Sequence, residues 1–373
     1  MTDLPPIERD PRVAGTLPGS FYRDPAALAG LLEGAFARSW QHAGHRGELD
    51  AGEARPLNLL EGSLDEPLAL VRDASGQLTC LSNACTHRGH LVVQERGPCR
   101  RLRCRYHGRT FDLDGAFRHA PAFEAAESFP RPGEGLARTP LHSVCGALFT
   151  SLAPELDFEA WLEPLAPLLE TLPQEEFVVD EAGATVYELD ASWALYVENY
   201  LEGLHIPFVH PALSATLDDG AYRDELFPRG TLQVGVARAF EPAFEPAQQV
   251  GRPGERVAAY YAWLWPNIML NLYPWGMSLN SVEPLGPERT RVRFVPYVWR
   301  PELRAVGAGG DLDTVQREDE EVVESCQRGL RSRLYPGGRF SPTREPGSHH
   351  FHRMITACLR GEPAPDLPSP LPS

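Results

Sequence analysis

The feature that most constrains this chain is a quartet of metal-type donors packed into one short stretch, CTHRGHLVVQERGPCRRLRCRYHG. It reads C-x-H at Cys85 and His87, then sixteen residues, then C-x-x-H at Cys104 and His107. Each half offers one thiolate and one imidazole. Zinc modules space their ligands Cys–Cys and then His–His. Here Cys precedes His in both halves, which suits two loops clamping one [2Fe–2S] centre, with Cys₂ on one iron and His₂ on the other. Gly89 and Gly108 follow the histidines, where tight backbone turns are needed.

The chain is 373 residues long and 42% hydrophobic, enough for two cores. Its net charge of −16 is spread along the sequence, which argues against nucleic acid or an anionic membrane as the main partner. No apolar run approaches the ~18–20 residues of a membrane helix. The N-terminus has acidic residues, prolines and no apolar stretch, so it does not read as a signal peptide, and the expected compartment is the cytoplasm. The seven cysteines do not suggest a disulfide framework; the five outside the quartet read as ordinary buried thiols.

Composition changes along the chain. Residues 1–44 read as a Pro-rich lead-in and an amphipathic helix, PAALAGLLEGAFARSW, capped by Asp24 and ending near His42. Residues 45–153 alternate short apolar runs with turn residues, as in a small all-β domain, with a hairpin turn at Asp112–Gly115. Residues 154–360 begin with helical stretches, FEAWLEPLAPLLETL and ASWALYVENYLEGLH. Four strand-like runs follow, from RVAAYYAWLWP to RTRVRFVPYVW, forming an antiparallel meander. A polar helix comes next, over about 312–331. Residues 361–373 read as a disordered tail.

His205 and His210 stand near the end of the second helical stretch, with Pro207 between them to end or distort it. Two histidines and one carboxylate make the facial triad of non-haem Fe(II) sites, with open positions for O₂. The run REDEEVVESCQRG offers the carboxylate.

On these motifs the chain resembles the α (terminal oxygenase) subunits of Rieske non-haem iron oxygenases from about Leu17 to His352. It is nearest the choline/carnitine monooxygenase-like members. The ligand loops are followed by His90 and Arg109 and are not bridged by a disulfide, as they are in respiratory Rieske proteins. The resemblance implies an α+β fold: an all-β Rieske domain, then a helix-grip (START-like) catalytic domain with an antiparallel sheet. It implies Asp319 as the third iron ligand, with Glu318, Glu320 and Glu321 as other options. It implies a homotrimer, or a multiple of one, in which Glu202 links His107 of the next subunit to its own His205. Asn199 would lie just behind the iron ligands. One departure is Leu204, where most members have Tyr.

The implied reaction uses O₂ as co-substrate and electrons from a separate NAD(P)H-dependent reductase or ferredoxin. No dinucleotide fingerprint is present in this chain. Tyr261, Trp263, Trp265, Tyr273 and Trp275 offer an aromatic cage for a quaternary ammonium group; aromatics at period two are equally consistent with core. The expected reaction is hydroxylation or N-demethylation of a small amine. The alternatives are an oxygenase for an aromatic or alicyclic carboxylate, and a Rieske protein that only transfers electrons.

Overall fold

The structure, a computed structural model, describes residues 4–218, 220–252 and 254–368. It divides into two compact units, Trp40–Pro154 and the rest of the chain, so the N-terminal helix groups with the second unit. The end of the tail, residues 369–373, lies outside the described residues.

Short antiparallel strands build the first unit. Gln41–His45 (β1) pairs with Ala147–Thr150, which pairs in turn with Leu141–Val144; Glu53–Leu59 (β2), Glu66–Arg72 (β3) and Leu78–Ser82 (β4) form the body of a second sheet. The third sheet is a small hairpin stack of Leu102–Arg103 (β5), Thr110–Phe111 (β6) and Phe117–His119 (β7). The expected turn at Asp112–Gly115 joins β6 to β7, with Gly115 at φ +87°. Leu81, Val92, Val93, Leu102, Phe111 and Leu136 form an apolar cluster that also holds Cys85 and Cys104. Its burial stabilises the platform from which both ligand loops project.

The second unit is an antiparallel sheet with helices against it. Its long strands are Arg223–Phe227 (β8), Gly230–Val236 (β9), Val257–Leu264 (β10), Ile268–Tyr273 (β11), Gly276–Gly286 (β12) and Arg289–Val298 (β13), paired consecutively. The four expected strands are β10–β13; β8 and β9 extend the sheet, and Thr185–Leu189 pairs along β13. Every residue of β11 is buried, so the sheet is covered on both faces.

The helices differ from the sequence reading at their ends. Pro25–Gly34 (α1) is capped by the Asp24 carboxylate but stops before the following 3₁₀ turn, and Gln41 is already strand. Pro164 and Pro167 break the FEAWLEPLAPLLETL stretch into short pieces, since proline removes a helix hydrogen bond. Trp193–Tyr200 (α2) ends before the histidines. Leu312–Gly329 (α3) matches the polar helix. Pro346–Arg360 (α4) is a buried helix not foreseen in the sequence, where its proline and glycine are in the first turn.

Tyr196 on α2 donates to Gln316 on α3, and Gln327 and Glu324 of α3 accept from the backbone N–H groups of Ser192 and Asp190. These bonds fix the register of α3 against α2. That register decides which α3 carboxylate faces the histidines.

Candidate cluster and iron sites

The two cluster loops have one local design. The Cys85 N–H donates to the His90 carbonyl (3.0 Å) and the Gly89 N–H to the Cys85 carbonyl (2.8 Å). The Cys104 N–H donates to the Arg109 carbonyl (2.9 Å) and the Gly108 N–H to the Cys104 carbonyl (3.1 Å). Gly89 and Gly108 share φ +72°, a conformation costly for any residue with a Cβ. Both thiols are buried, and burial, with Cys104 close by, pushes the Cys85 thiol up. The His87 and His107 Nδ1 atoms face each other at 3.1 Å from the solvent side. Burial and the neighbouring His107 pull His87 below the usual histidine range. Two inner thiols and two outer imidazole nitrogens converging on one gap fit a cluster with Cys₂ and His₂ irons.

The iron site is assembled from distant segments. After α2 the chain turns through Leu201–Leu204, and two short helices, Ile206–Val209 and Pro211–Thr216, place His205 and His210 at their starts. The His210 Nε2 lies 2.9 Å and the His205 Nε2 3.7 Å from Asp319 Oδ1. Donor atoms of the three residues lie within 4.8 Å of one another, which fits a facial triad. Carboxylates hold the opposite ring nitrogens: Glu202 accepts from His205 Nδ1 at 2.6 Å, and Glu318 from His210 Nδ1 at 2.7 Å. This fixes both tautomers with Nε2 free to ligate. Burial pulls the His210 pKa down, but Asp319 and Glu318 outweigh it and raise it.

Of the other carboxylate options, Glu318 therefore sits behind a ligand, Glu320 accepts from Gln316, and Glu321 is exposed. Asn199 donates to Asp319 Oδ1 at 2.6 Å. Glu202 also accepts from the backbone N–H groups of Leu204 and His205, which shapes the turn before the ligand.

A cavity of about 100 Å³ opens on the triad. Tyr196, Tyr200, Tyr222, Tyr261, Tyr273 and Phe294 are its aromatic walls. Burial keeps all five phenols well above their usual range, so they stay neutral. The Tyr261 hydroxyl is buried without a hydrogen-bond partner. Of the expected cage, Tyr261 and Tyr273 line the cavity and the three tryptophans do not. Trp263 and Trp265 lie farther along the sheet, where Phe351 of α4 packs on them at 5.3 and 6.1 Å. Trp275 stacks behind Tyr273 at 5.2 Å, against Gly309. Alternation along the strand did not reveal where the helices close the pocket. The five remaining cysteines also vary: Cys80 and Cys145 are buried, whereas Cys326 is exposed.

Residues 39–130 match the Rieske [2Fe-2S] domain and residues 178–361 the ring hydroxylating alpha subunit (catalytic domain). The chain is 31% identical to the carnitine monooxygenase oxygenase subunit of Escherichia coli (strain K12), over 94% of this chain and 96% of that one. The chain belongs to the Rieske non-haem iron oxygenases. The oxygenase is also 30% identical to the chloroplastic choline monooxygenase of Arabidopsis thaliana, over 95% of its own length and 84% of the relative's. It overlays a quaternary ammonium Rieske monooxygenase in complex with L-carnitine with a TM-score of 0.74 at 26% identity, covering 94% and 97% of the two chains. Naphthalene 1,2-dioxygenase from Rhodococcus sp. shares the fold, with a TM-score of 0.68 at 20% identity over 93% and 95%. This oxygenase is thus an O₂-dependent oxidoreductase with a Rieske cluster and a mononuclear non-haem iron, supplied with electrons by a separate reductase. Among its described residues no helix is long and apolar enough to cross a membrane.

Proposed function

We propose that this oxygenase hydroxylates or N-demethylates a small quaternary or tertiary ammonium compound. The observation that carries the reading is the composition of the cavity. Aromatic faces surround it, Glu202 and Asp319 supply its negative charge, and no lysine or arginine lines it. Such a pocket favours a cation through cation–π attraction and has no charged side chain to pair with an anion. The names of the carnitine and choline relatives point the same way.

His205, His210 and Asp319 would hold the iron, Glu202 and Glu318 would orient the histidines, and Asn199 would fix the Asp319 carboxylate. When bound, the iron supplies O₂ activation and the cluster delivers electrons singly. The overall balance is one oxygen atom into the substrate and one into water, with two electrons and two protons taken up. The tyrosines bind and orient the ammonium group, and the unpartnered Tyr261 hydroxyl is placed to hold an oxygen on its tail. Tyr261→Phe should raise KM for hydroxylated substrates by about 10-fold with little change in kcat, a polar contact being worth ~1–2 kcal/mol.

The assembly reading is a trimer in which His107 of one subunit faces Glu202 of the next. Leu204 and Phe208, exposed beside His205, support an interface there. The seven free thiols are in keeping with a reducing compartment such as the cytoplasm.

The deciding experiment is reductase-coupled turnover with choline, carnitine, glycine betaine and proline betaine, following O₂ uptake and oxidised product. Turnover of aromatic or alicyclic acids with none of the amines sinks the ammonium reading. Two irons per chain with no turnover of either class would point to an electron carrier.

A further inference from the structure

We infer that Arg109, paired with Glu134, ties the two cluster-ligand loops together and sets the charge beside the first of them. The backbone bonds described above stitch each loop only to itself, and none of the seven cysteines is bonded to another. Arg109 joins one loop to the other. Its Nη1 donates to the hydroxyl of Thr86, which stands between ligands Cys85 and His87, at 2.8 Å. The same nitrogen donates to Glu134 Oε2 at 2.7 Å. The Thr86 hydroxyl in turn donates to the Glu134 carbonyl at 2.7 Å, closing a triangle of three segments.

The setting is costly, so the role must repay it. The Arg109 side chain is only 4% exposed and that of Glu134 11%. A guanidinium in such surroundings is tolerated only when its charge is matched, which Glu134 does here although the Arg109 Nε has no hydrogen-bond partner. Phe117, Phe123 and Phe129 enclose it, with centroids 5.3, 5.3 and 5.5 Å from its carbon. Phe123 also packs edge-on to ligand His87 at 5.4 Å. Arg109 therefore reaches the first ligand loop by a hydrogen bond and through a shared ring. The Arg109 charge is felt at the Cys85 thiol; a positive charge there favours the more negative, reduced cluster, and Glu134, which Arg131 also reaches at 3.3 Å, offsets it.

The test uses the full-length holoprotein and reads the cluster, not turnover. Arg109→Met keeps the apolar stem but removes both the fork and the charge. It should release the cluster to a chelator about 10-fold faster, by loss of visible absorbance, and lower its reduction potential. Arg109→Lys should release at an intermediate rate with a potential near wild type. Glu134→Gln retains an acceptor for Arg109 and leaves the guanidinium uncompensated, so retention should hold while the potential rises. Wild-type retention and potential in Arg109→Met would overturn the inference. So would potentials of Arg109→Met and Glu134→Gln on the same side of wild type, because mechanical loosening does not change sign with charge. If Arg109→Met does not fold, Glu134→Gln decides alone: an unmoved or lowered potential is fatal to the inference.

Discussion

The two metal sites of this oxygenase are built in opposite ways. The candidate cluster ligands come from one 23-residue stretch and are oriented by backbone hydrogen bonds inside two matching loops. The candidate iron ligands come from segments 109 residues apart and are oriented by side-chain carboxylates. Charge divides along the same line. The cluster unit carries 13 arginines and 13 acidic residues, so the net −16 resides in the catalytic unit, with 22 arginines against 38 acids. All 35 basic residues are arginine. The cluster site thus depends on chain geometry and the iron site on helix registration and surplus negative charge.

If the sites are this independent, breaking one must spare the other. The largest effect is expected from Asp319→Ala, which removes a triad donor. Iron should fall from about three to about two per chain and turnover should be lost, while the cluster spectrum is unchanged. A simultaneous loss of cluster absorbance would show that the sites are coupled.

Glu318→Gln leaves the triad intact but weakens the support of His210. Iron affinity should drop by about 10- to 100-fold, read by competition with a chelator, again with normal cluster content. Unchanged affinity would mean that His210 is held by packing alone.

Surplus acid has a cost that pH exposes. Asp224 is raised to about 7, first by burial and then by nearby Glu202, against the opposing pull of Arg344; one of its oxygens has no partner. Its folded value lies above the unfolded one, near 3.8, so the native state holds the extra proton between those values. Stability from this group is therefore lost as pH rises from about 4 to 7. Asp224→Asn should be more stable than wild type by about 2 kcal/mol at pH 8 and no different near pH 4, by denaturant unfolding. A gain that is constant with pH would exclude ionisation as its cause.

The smallest effect contrasts the two cluster loops. Both Gly89→Ala and Gly108→Ala meet the φ +72° penalty of about 1 kcal/mol. A Cβ at Gly108 would also lie 3.3 Å from Pro121, whereas one at Gly89 meets nothing within 4 Å. Cluster occupancy should fall further in Gly108→Ala, and equal loss would show that backbone strain alone matters.

The contrast also explains what could be read from the sequence. Cys85, His87, Cys104 and His107 announce themselves because each loop closes within five residues, so spacing carries the geometry. The sequence offers His205 and His210 as a pair and the family resemblance offers Asp319; the structure brings donor atoms of the three within 4.8 Å of one another. The order of strands β10–β13 and the extent of α3 followed from apolar patterning, which reflects burial directly.

Tertiary structure decided the rest. The Glu318–His210 bond depends on how α3 registers against α2, and nothing in REDEEVVE distinguishes one carboxylate from the next. Trp263 and Trp265 share strand periodicity with Tyr261, but Phe351, some 90 residues later in the chain, fills the space beside them. Nothing in the sequence pairs Arg109 with Thr86, Glu134 and the three phenylalanines found around it. Local chain geometry specified the candidate cluster donors of this protein. Long-range packing specified their supports and the pocket walls, because those contacts join residues whose separation in sequence leaves no periodic trace.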